Sequence, residues 1–547
     1  MSATRYRVLL ADGIAEEGLS ILRSEPRLQV DDRSGIDKAE LLDVIGEYDG
    51  LIVRSRTKVT AEVLARAARL RVIGRAGIGV DNIDVARATR LGVLVLNAPA
   101  GNAVSAAELT FALLLSLARR IPRADRSVRE GRWERASKGV EGYGKTLGLV
   151  GCGRIGAEVA RRARAFGMRV AAYDPYLSPD RAREMGVELV TLPDLLEESD
   201  FLSIHAPLTE ETRGLLGREE LARMKPGAFV LNMARGGIVD EHALADALAA
   251  RKLAGAALDV FEKEPPPPDH PLFALDNVIL TPHLGAATTE AQRSVGIEIC
   301  RAVRGALLHG DLRTAVNAPG LTGGGFAEVA PLVDLAERLG RIVCGLARAS
   351  YTSLSVRYSG SRDDALSPVA AAATLGLLCE VVEGPLNIVN ALQVAAERGL
   401  AVHRSRSAAR SGVGDLIELD LETSDGRVHV AGTLGGNGHP RVVRINDYRV
   451  DIVPEGTILI LKNKDVPGVI GKVGSVLGVA GLNIAEYHQA RLAAGGDALA
   501  AIAVDGRVER SVIDRLAAIE EVVGVWPIVL PDESDPATPA DLLGVGT

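Results

Sequence analysis

Residues 146–160 read TLGLVGCGRIGAEVA, and the order of the parts in this stretch decides the fold. Thr146–Val150 is a short apolar run, Gly151, Gly153 and Gly156 follow at G-x-G-x-x-G spacing, and AEVARRARAFG continues with helical spacing. The glycine pattern alone is weak evidence. A strand before it and a helix after it supply the context in which it binds a dinucleotide. Gly151 permits the tight turn, Gly153 lets the backbone approach a pyrophosphate, and Gly156 lets helix and strand pack closely. The phosphates then meet the free N–H groups of a helix that opens at Arg154 and Ile155.

The next strand, MRVAAYD, ends at Asp174. A carboxylate there accepts ribose hydroxyls and repels a 2′-phosphate, so NAD is expected rather than NADP. Outward from this unit, strands and helices alternate from Thr146 to about His283. A second alternating series occupies residues 5–97, in RVLLADG, GLIVRS, RVIGRAGIGVDN and VLVLNAP with helical stretches such as AEVLARAARL between them. Such alternation predicts parallel sheets covered by helices on both faces. Long helical patterns at 101–120 and from Ala286 to Gly310 join the two series, which predicts one domain inserted into another.

Beyond a glycine-rich boundary at 320–329, helical stretches are expected near 331–348 and 367–399. The run LIELDLETSDGRVHVAGTL (416–434) predicts a hairpin turning at SDGR. Residues 454–530 read as strand, helix, two strands, helix, strand. The expected fold is therefore α/β, with two Rossmann-like doubly wound parallel-sheet domains, then an α+β intervening domain and a final βαββαβ domain. The expected boundaries are 1–97 and 285–319 for the two parts of a substrate-binding domain, and 98–284 for the NAD-binding domain. The intervening domain follows at 320–453, the terminal domain at 454–530 and a tail at 531–547.

Bulk properties narrow the function. A chain of 547 residues exceeds one core, which stops growing at about 250–300 residues. A net charge of -8 and only 3% aromatic residues oppose nucleic-acid binding. Cys152, Cys300, Cys344 and Cys379 are widely separated and form no C-x-x-C pair, so neither disulfides nor a metal site are expected. A charged N-terminus and no apolar run near the ~20 residues of a membrane span predict a cytoplasmic protein.

Arg235, Glu264 and His283 each fall just past a predicted strand, on the carboxyl edge where doubly wound sheets bind ligands. Oxidising a secondary alcohol by hydride transfer needs a base for the hydroxyl proton, and an imidazole titrates in the right range. A neighbouring Glu264 would orient that ring, and Arg235 offers a planar fork to a carboxylate. Singly, these residues read as a surface arginine, a loop acid and a capping histidine. Together on one edge they read as a site.

The motifs HAPLTEETRGLL (205–216), MKPGAFVLNMARGGIVDEHAL (224–244), GAALDVFEKEP (255–265) and NVILTPHLGAAT (277–288), with the glycine loop, resemble the D-2-hydroxyacid dehydrogenase family over residues 5–315. That resemblance implies that Arg235 orients substrate and that Glu264 pairs with the proton-transfer residue His283. It also implies that Pro207, Thr212, Ala234, Arg235, Asp259, His283 and Ala286 line the nicotinamide half of the cofactor site.

Within the family, LIVRSRTKVT (51–60) and RAGIGVDNID (75–84) are similar to segments of the D-3-phosphoglycerate dehydrogenases. Arg54 and Arg75 are then expected to hold substrate phosphate and carboxylate, with polar contacts from Ser55, Gly77 and Asn102. The unit 454–530 resembles an ACT domain, which implies pairing with a second copy of the chain and an L-serine effector held by Asn463, Asp465 and Asn483. Arg441 and Arg444 are candidates for a second anion. Two alternatives stay open at this stage: a dehydrogenase of another D-2-hydroxy acid, and an NAD-sensing binding protein like the co-repressors that share the Arg, Glu and His.

Overall fold

The computed structural model describes residues 5–99, 101–135, 138–318, 326–347, 349–362, 364–382, 386–407, 414–435 and 438–531. The glycine-rich stretch at 319–325 and the tail at 532–547 lie outside the described residues. The chain divides into two compact units, Met1–Ala98 with Ile299–Thr547, and Pro99–Glu298.

In the first unit β1 (Tyr6–Leu10), β2 (Leu28–Asp32), β3 (Gly50–Val53), β4 (Val72–Arg75) and β5 (Leu94–Asn97) form a parallel sheet in the order β2-β1-β3-β4-β5. All four residues of β3 are buried, as expected of a parallel strand covered on both faces. Gly74 in β4 leaves room for Ile299 and Val303 of the helix Thr289–His309, which would collide with any larger side chain there.

The second unit holds β6 (Thr146–Val150), β7 (Arg169–Tyr173), β8 (Glu188–Leu189), β9 (Phe201–Ile204), β10 (Phe229–Asn232), β11 (Gly255–Leu258) and β12 (Val278–Leu280). They form a parallel sheet in the order β12-β11-β10-β9-β6-β7-β8. The direction of winding reverses between β6 and β9, so a crevice for a ligand opens at their carboxyl ends. One apolar cluster lies on each face of this sheet. Leu147, Leu149, Val159 and Ala163 belong to one, and Leu202, Ile204, Val230 and Leu244 to the other.

The rest of the first unit adds a mixed sheet and an antiparallel one. The mixed sheet contains β13 (Tyr351–Ser359), β14 (Ala401–Ser407), β15 (Leu416–Thr423), β16 (Gly426–Leu434), β17 (Pro440–Ile445) and β18 (Tyr448–Ile452). Its order is β14-β13-β15-β16-β17-β18, with only the β13–β14 pair parallel. The expected hairpin is present, turning at Ser424–Asp425 with Thr423 opposite Gly426. The helix expected over 367–399 is instead two helices, Leu366–Leu378 and Ala391–Glu397. Between them Asn390 Oδ1 accepts from the Asn387 N–H at 2.8 Å and Asn387 Oδ1 from the Val389 N–H at 3.0 Å. These side chains compete with helical hydrogen bonds and turn the chain.

Residues 457–529 form β19 (Thr457–Lys464), β20 (Ile484–Arg491), β21 (Asp497–Val504) and β22 (Val522–Val529), in the antiparallel order β20-β21-β19-β22. Helices Val469–Val479 and Arg510–Ala517 cover one face, giving the βαββαβ order read from the sequence. Arg338, on the helix Phe326–Leu346, is almost wholly buried. Its Nη1 donates to the carbonyls of Pro454 (2.8 Å) and Pro531 (2.6 Å), while its Nε pairs with Asp334 at 2.8 Å. No described helix is long and apolar enough to cross a membrane.

Candidate active site

The glycine loop after β6 has the geometry its spacing predicts. Gly151 has φ +86°, and a Cβ there would lie 2.8 Å from the Ala206 nitrogen. Gly153 caps the helix Arg154–Ala165, with nothing within 4 Å of where its Cβ would stand. A Cβ on Gly156 would fall 2.6 Å from the Gly151 carbonyl oxygen, so helix and loop touch only because both are bare. Arg154 is exposed at the helix start, and Ile155 packs on the apolar cluster beneath. An open cradle at a helix N-terminus fits a pyrophosphate.

Asp174 sits just beyond β7, and its carboxylate accepts from the backbone N–H groups of Cys152 (2.8 Å) and Tyr176 (2.9 Å). The acid therefore braces the glycine loop itself. Burial, helped by the nearby Asp174 charge, pushes the Cys152 thiol up to about 11, so it stays an inert, neutral core group.

Because β10, β11 and β12 are neighbours, the loops after them lie side by side, and these loops carry Arg235, Glu264 and His283. His283 Nδ1 and Glu264 Oε2 are 2.9 Å apart, and both side chains are partly exposed. Partial burial raises the Glu264 pKa. The hydrogen bond and charge of His283, the Phe261 N–H and the charge of Arg235 outweigh it, and the net shift is downward. The Glu264 charge, and with it the contact to His283, is present above that lowered pKa and is lost as pH falls through it.

Local chemistry fixes each loop. The Asn232 amide donates to the Arg235 carbonyl at 2.9 Å and its oxygen accepts from the Ala234 N–H at 3.2 Å. Arg235 Nη1 donates to the Ala234 carbonyl at 2.6 Å, and Met233 is buried in the apolar cluster. A Cβ on Gly236 would collide with the Phe261 carbonyl carbon and oxygen, so the glycine lets the Arg235 loop press against the Glu264 loop. Asp259 is buried, and its carboxylate accepts from Thr281 Oγ1 (2.6 Å), the Leu284 N–H (2.7 Å) and the Gly285 N–H (2.8 Å). Those bonds hold His283 in a left-handed conformation with φ +55°, next to Ala286 on the same loop. After β9, Thr212 Oγ1 donates to the Pro207 carbonyl at 2.6 Å and accepts from the Thr209 N–H at 2.7 Å, closing that loop on itself.

In the first unit Arg54 follows β3 and Arg75 ends β4, adjacent strands with Val53 opposite Arg75. Sequence reasoning missed what holds them. The buried Asp12 accepts from the Arg54 N–H (2.6 Å), Thr57 Oγ1 (2.9 Å) and Arg56 Nε (2.9 Å). Burial alone would raise the Asp12 carboxyl, but these donors more than offset it and its pKa lies below the usual aspartate value. Asn82 Nδ2 donates to the carbonyls of Arg54 and Thr57, both at 2.7 Å. Arg56 is thus occupied in bracing the loop, while Ser55 is exposed and the Arg54 guanidinium has a long 3.5 Å contact to the Gly13 carbonyl. The Arg75 guanidinium lies over Gly77, in space that a Cβ would take. Asn102, in the second unit, precedes the helix Ala103–Arg119, and its buried Oδ1 finds no partner among the described residues.

The three candidate effector residues are less uniform. Asn463 is fully buried in β19, with Nδ2 donating to the Lys464 carbonyl at 2.7 Å. Asp465 pairs with Arg491 at 3.0 Å, and the exposed Asn483 donates to Asp505 at 2.8 Å. Arg441 is engaged by Asp451 (2.6 Å) and Glu486 (3.2 Å), and Arg444 Nε by the Asn446 carbonyl (2.9 Å).

The sequence and fold have close counterparts. Residues 111–285 match the family model "D-isomer specific 2-hydroxyacid dehydrogenase, NAD binding domain", and residues 328–446 match "D-3-phosphoglycerate dehydrogenase intervening domain". The chain is 41% identical to a D-3-phosphoglycerate dehydrogenase of Archaeoglobus fulgidus over 521 residues, covering 94% of this chain and 98% of that one. A Bacillus subtilis D-3-phosphoglycerate dehydrogenase is 40% identical over 532 residues, with 96% of this chain and 100% of that one covered. Among solved structures, D-lactate dehydrogenase from Aquifex aeolicus, complexed with NAD and lactic acid, superposes with a TM-score of 0.51 at 30% identity. That match covers 57% of this chain and 99% of the other. With a braced glycine cradle, an Arg–Glu–His edge and relatives matched nearly end to end, the chain belongs to the D-3-phosphoglycerate dehydrogenase family of NAD-dependent D-2-hydroxyacid dehydrogenases.

Proposed function

We propose that the protein oxidises D-3-phosphoglycerate to 3-phosphohydroxypyruvate, the entry reaction to L-serine, with Arg235, Glu264 and His283 as its catalytic residues. The observation that carries this reading is the 2.9 Å contact of His283 Nδ1 with Glu264, which leaves Nε2 to take the hydroxyl proton of the substrate. NAD, when bound, accepts the hydride released from the same carbon. Arg235 holds the substrate carboxylate by paired N–H donors. Gly151, Gly153, Arg154, Ile155, Gly156 and Asp174 hold the dinucleotide at its pyrophosphate and ribose. Pro207, Thr212, Ala234, Asp259 and Ala286, with Arg235 and His283, border the nicotinamide.

Arg54, Ser55, Arg75, Gly77 and Asn102 bind the substrate, and the braced RSRT loop supports a phosphate-binding role for Arg54. Turnover is followed by NADH absorbance with 3-phosphoglycerate and NAD at alkaline pH. Arg54→Ala is expected to raise KM for 3-phosphoglycerate about 10–100-fold, the worth of a hydrogen bond to a charged group. An unphosphorylated D-2-hydroxy acid should be affected far less. Equal losses for both substrates would remove Arg54 from phosphate recognition, and no turnover of 3-phosphoglycerate would remove the substrate assignment.

The domain boundaries read from the sequence, an ACT role for 454–530 and assembly into a homo-oligomer are parts of the same proposal. Ile121, Val128, Trp133 and Tyr143 are exposed large apolar side chains of the second unit, available to a second copy. L-serine is the proposed effector at Asn463, Asp465 and Asn483, and binding there must compete with Arg491 for Asp465. Isothermal titration of L-serine is expected to give saturable heat that Asp465→Ala abolishes. Absence of heat would leave the domain an assembly module.

A further inference from the structure

Glu241 opens the helix Glu241–Ala249, directly after the Asp240 cap, whose carboxylate accepts from the His242 and Ala243 N–H groups. Its side chain is only 7% exposed, and that of its partner His270 only 8%. One carboxylate oxygen lies 2.7 Å from His270 Nε2, and the other accepts the Glu262 N–H at 2.7 Å. The His270 ring is wedged between Phe261, edge-on at 5.7 Å, and Phe273 at 5.4 Å. Buried carboxylates and imidazoles are costly unless paired, and the second oxygen of this carboxylate is given to a single backbone amide, while His270 Nδ1 finds no partner among the described residues.

That amide belongs to the turn that carries Glu264. Within the turn, the Phe261 N–H donates to Glu264 Oε1 at 3.1 Å, and Glu264 Oε2 meets His283. The turn thus aims Glu264 through a local bond, and Glu241 fixes the turn to the body of the domain. Gly236 presses on the same Phe261–Glu262 peptide from the Arg235 loop.

We propose that Glu241 and His270 are positioning residues for the proton relay: the buried pair holds the Glu262 amide, and through it sets where Glu264 meets His283. This inference rests on the Glu264–His283 reading above. Removing the Glu241 carboxylate frees the turn without touching the dinucleotide cradle. A displacement of about 1 Å at a relay is worth about 100-fold in rate.

The test uses the full chain and the variants Glu241→Ala, Glu241→Gln, Glu264→Gln and His283→Ala. It measures kcat, both KM values, NADH affinity by fluorescence, thermal melting and the pH profile of kcat. Glu241→Ala is expected to lower kcat about 10–100-fold, with NADH affinity within about twofold. The profile should depart from the wild-type one along its acid limb, because the contact between Glu264 and His283 is no longer held in place. Glu241→Gln, which keeps an acceptor for the Glu262 amide, should recover most of kcat. A wild-type kcat and profile in Glu241→Ala, beside inactive Glu264→Gln and His283→Ala, would overturn the positioning role alone. Parallel loss of kcat, NADH affinity and cooperative melting would overturn it in favour of a folding role. Full turnover by His283→Ala would bring down the relay reading itself.

Discussion

His283→Ala is expected to lower kcat by about 10²–10⁴-fold while leaving NAD affinity nearly unchanged, the range found when a general base is removed. The expectation follows from where the ring is held. Glu264 takes Nδ1 at 2.9 Å, and the loop beneath is tied by three donors to the buried Asp259, so the backbone should survive loss of the imidazole. One complication is the left-handed φ of +55°, which alanine tolerates at a cost of about 1–2 kcal/mol. His283→Asn is the control, because asparagine enters that region more readily and cannot act as the base. Both variants should lose turnover alike, and pre-steady-state hydride transfer should fall with kcat. A variant that melts like the parent and keeps full kcat would exclude His283 as the proton carrier.

Gly236→Ala should cost nearly as much without removing any reacting group. Its Cβ would collide with the Phe261 carbonyl, which is backbone and cannot rotate away, so the loops bearing Arg235 and Glu264 must separate. We expect kcat/KM to fall about 100-fold from misplacement and stability to fall roughly 1–3 kcal/mol from overpacking. Gly237→Ala is the matched comparison. Gly237 has φ +80°, but its nearest neighbour is the Arg213 side chain at 3.6 Å, so the change strains backbone and leaves the two loops in register. Equal kcat/KM in the two variants would mean that the close approach at Gly236 has no part in aligning the site.

Both parallel sheets were legible because their strands are buried runs between punctuated helices, and β6 with its glycine loop was legible to the residue. The terminal βαββαβ unit was equally plain, since its helices carry one apolar stripe each. The region between them was legible only in part, in the hairpin at 416–434 and the helix near 331–348. In the helix Leu366–Leu378 every residue from Pro368 to Leu378 is buried, so no periodic stripe marks its ends. The edge strand β14 (AVHRSRS) is mostly exposed and shows no apolar alternation at all.

The site divides along similar lines. Arg235, Glu264 and His283 stood out as candidates because each lies on a loop that follows a strand of one sheet. Glu241, His270, Asp12 and Asn82 act on backbone amides or carbonyls of distant loops, and a buried bracing acid has the same one-letter code as a solvated one. A clue existed only for Asp12, an acid at the end of the first strand of a sheet.

Arg338 bears on how the terminal module communicates. Its guanidinium is bonded to the carbonyls at both the entry and the exit of that module, so a two-pronged hook ties the module's two ends to the long helix. Truncation at residue 453 would strand a buried cation with two of its three acceptors, the Pro454 and Pro531 carbonyls, gone, a defect of several kcal/mol. Catalytic fragments cut there should therefore be judged as damaged proteins and not as simplified ones, and any twist of the terminal sheet has a short mechanical route to the helix that Arg338 stands on.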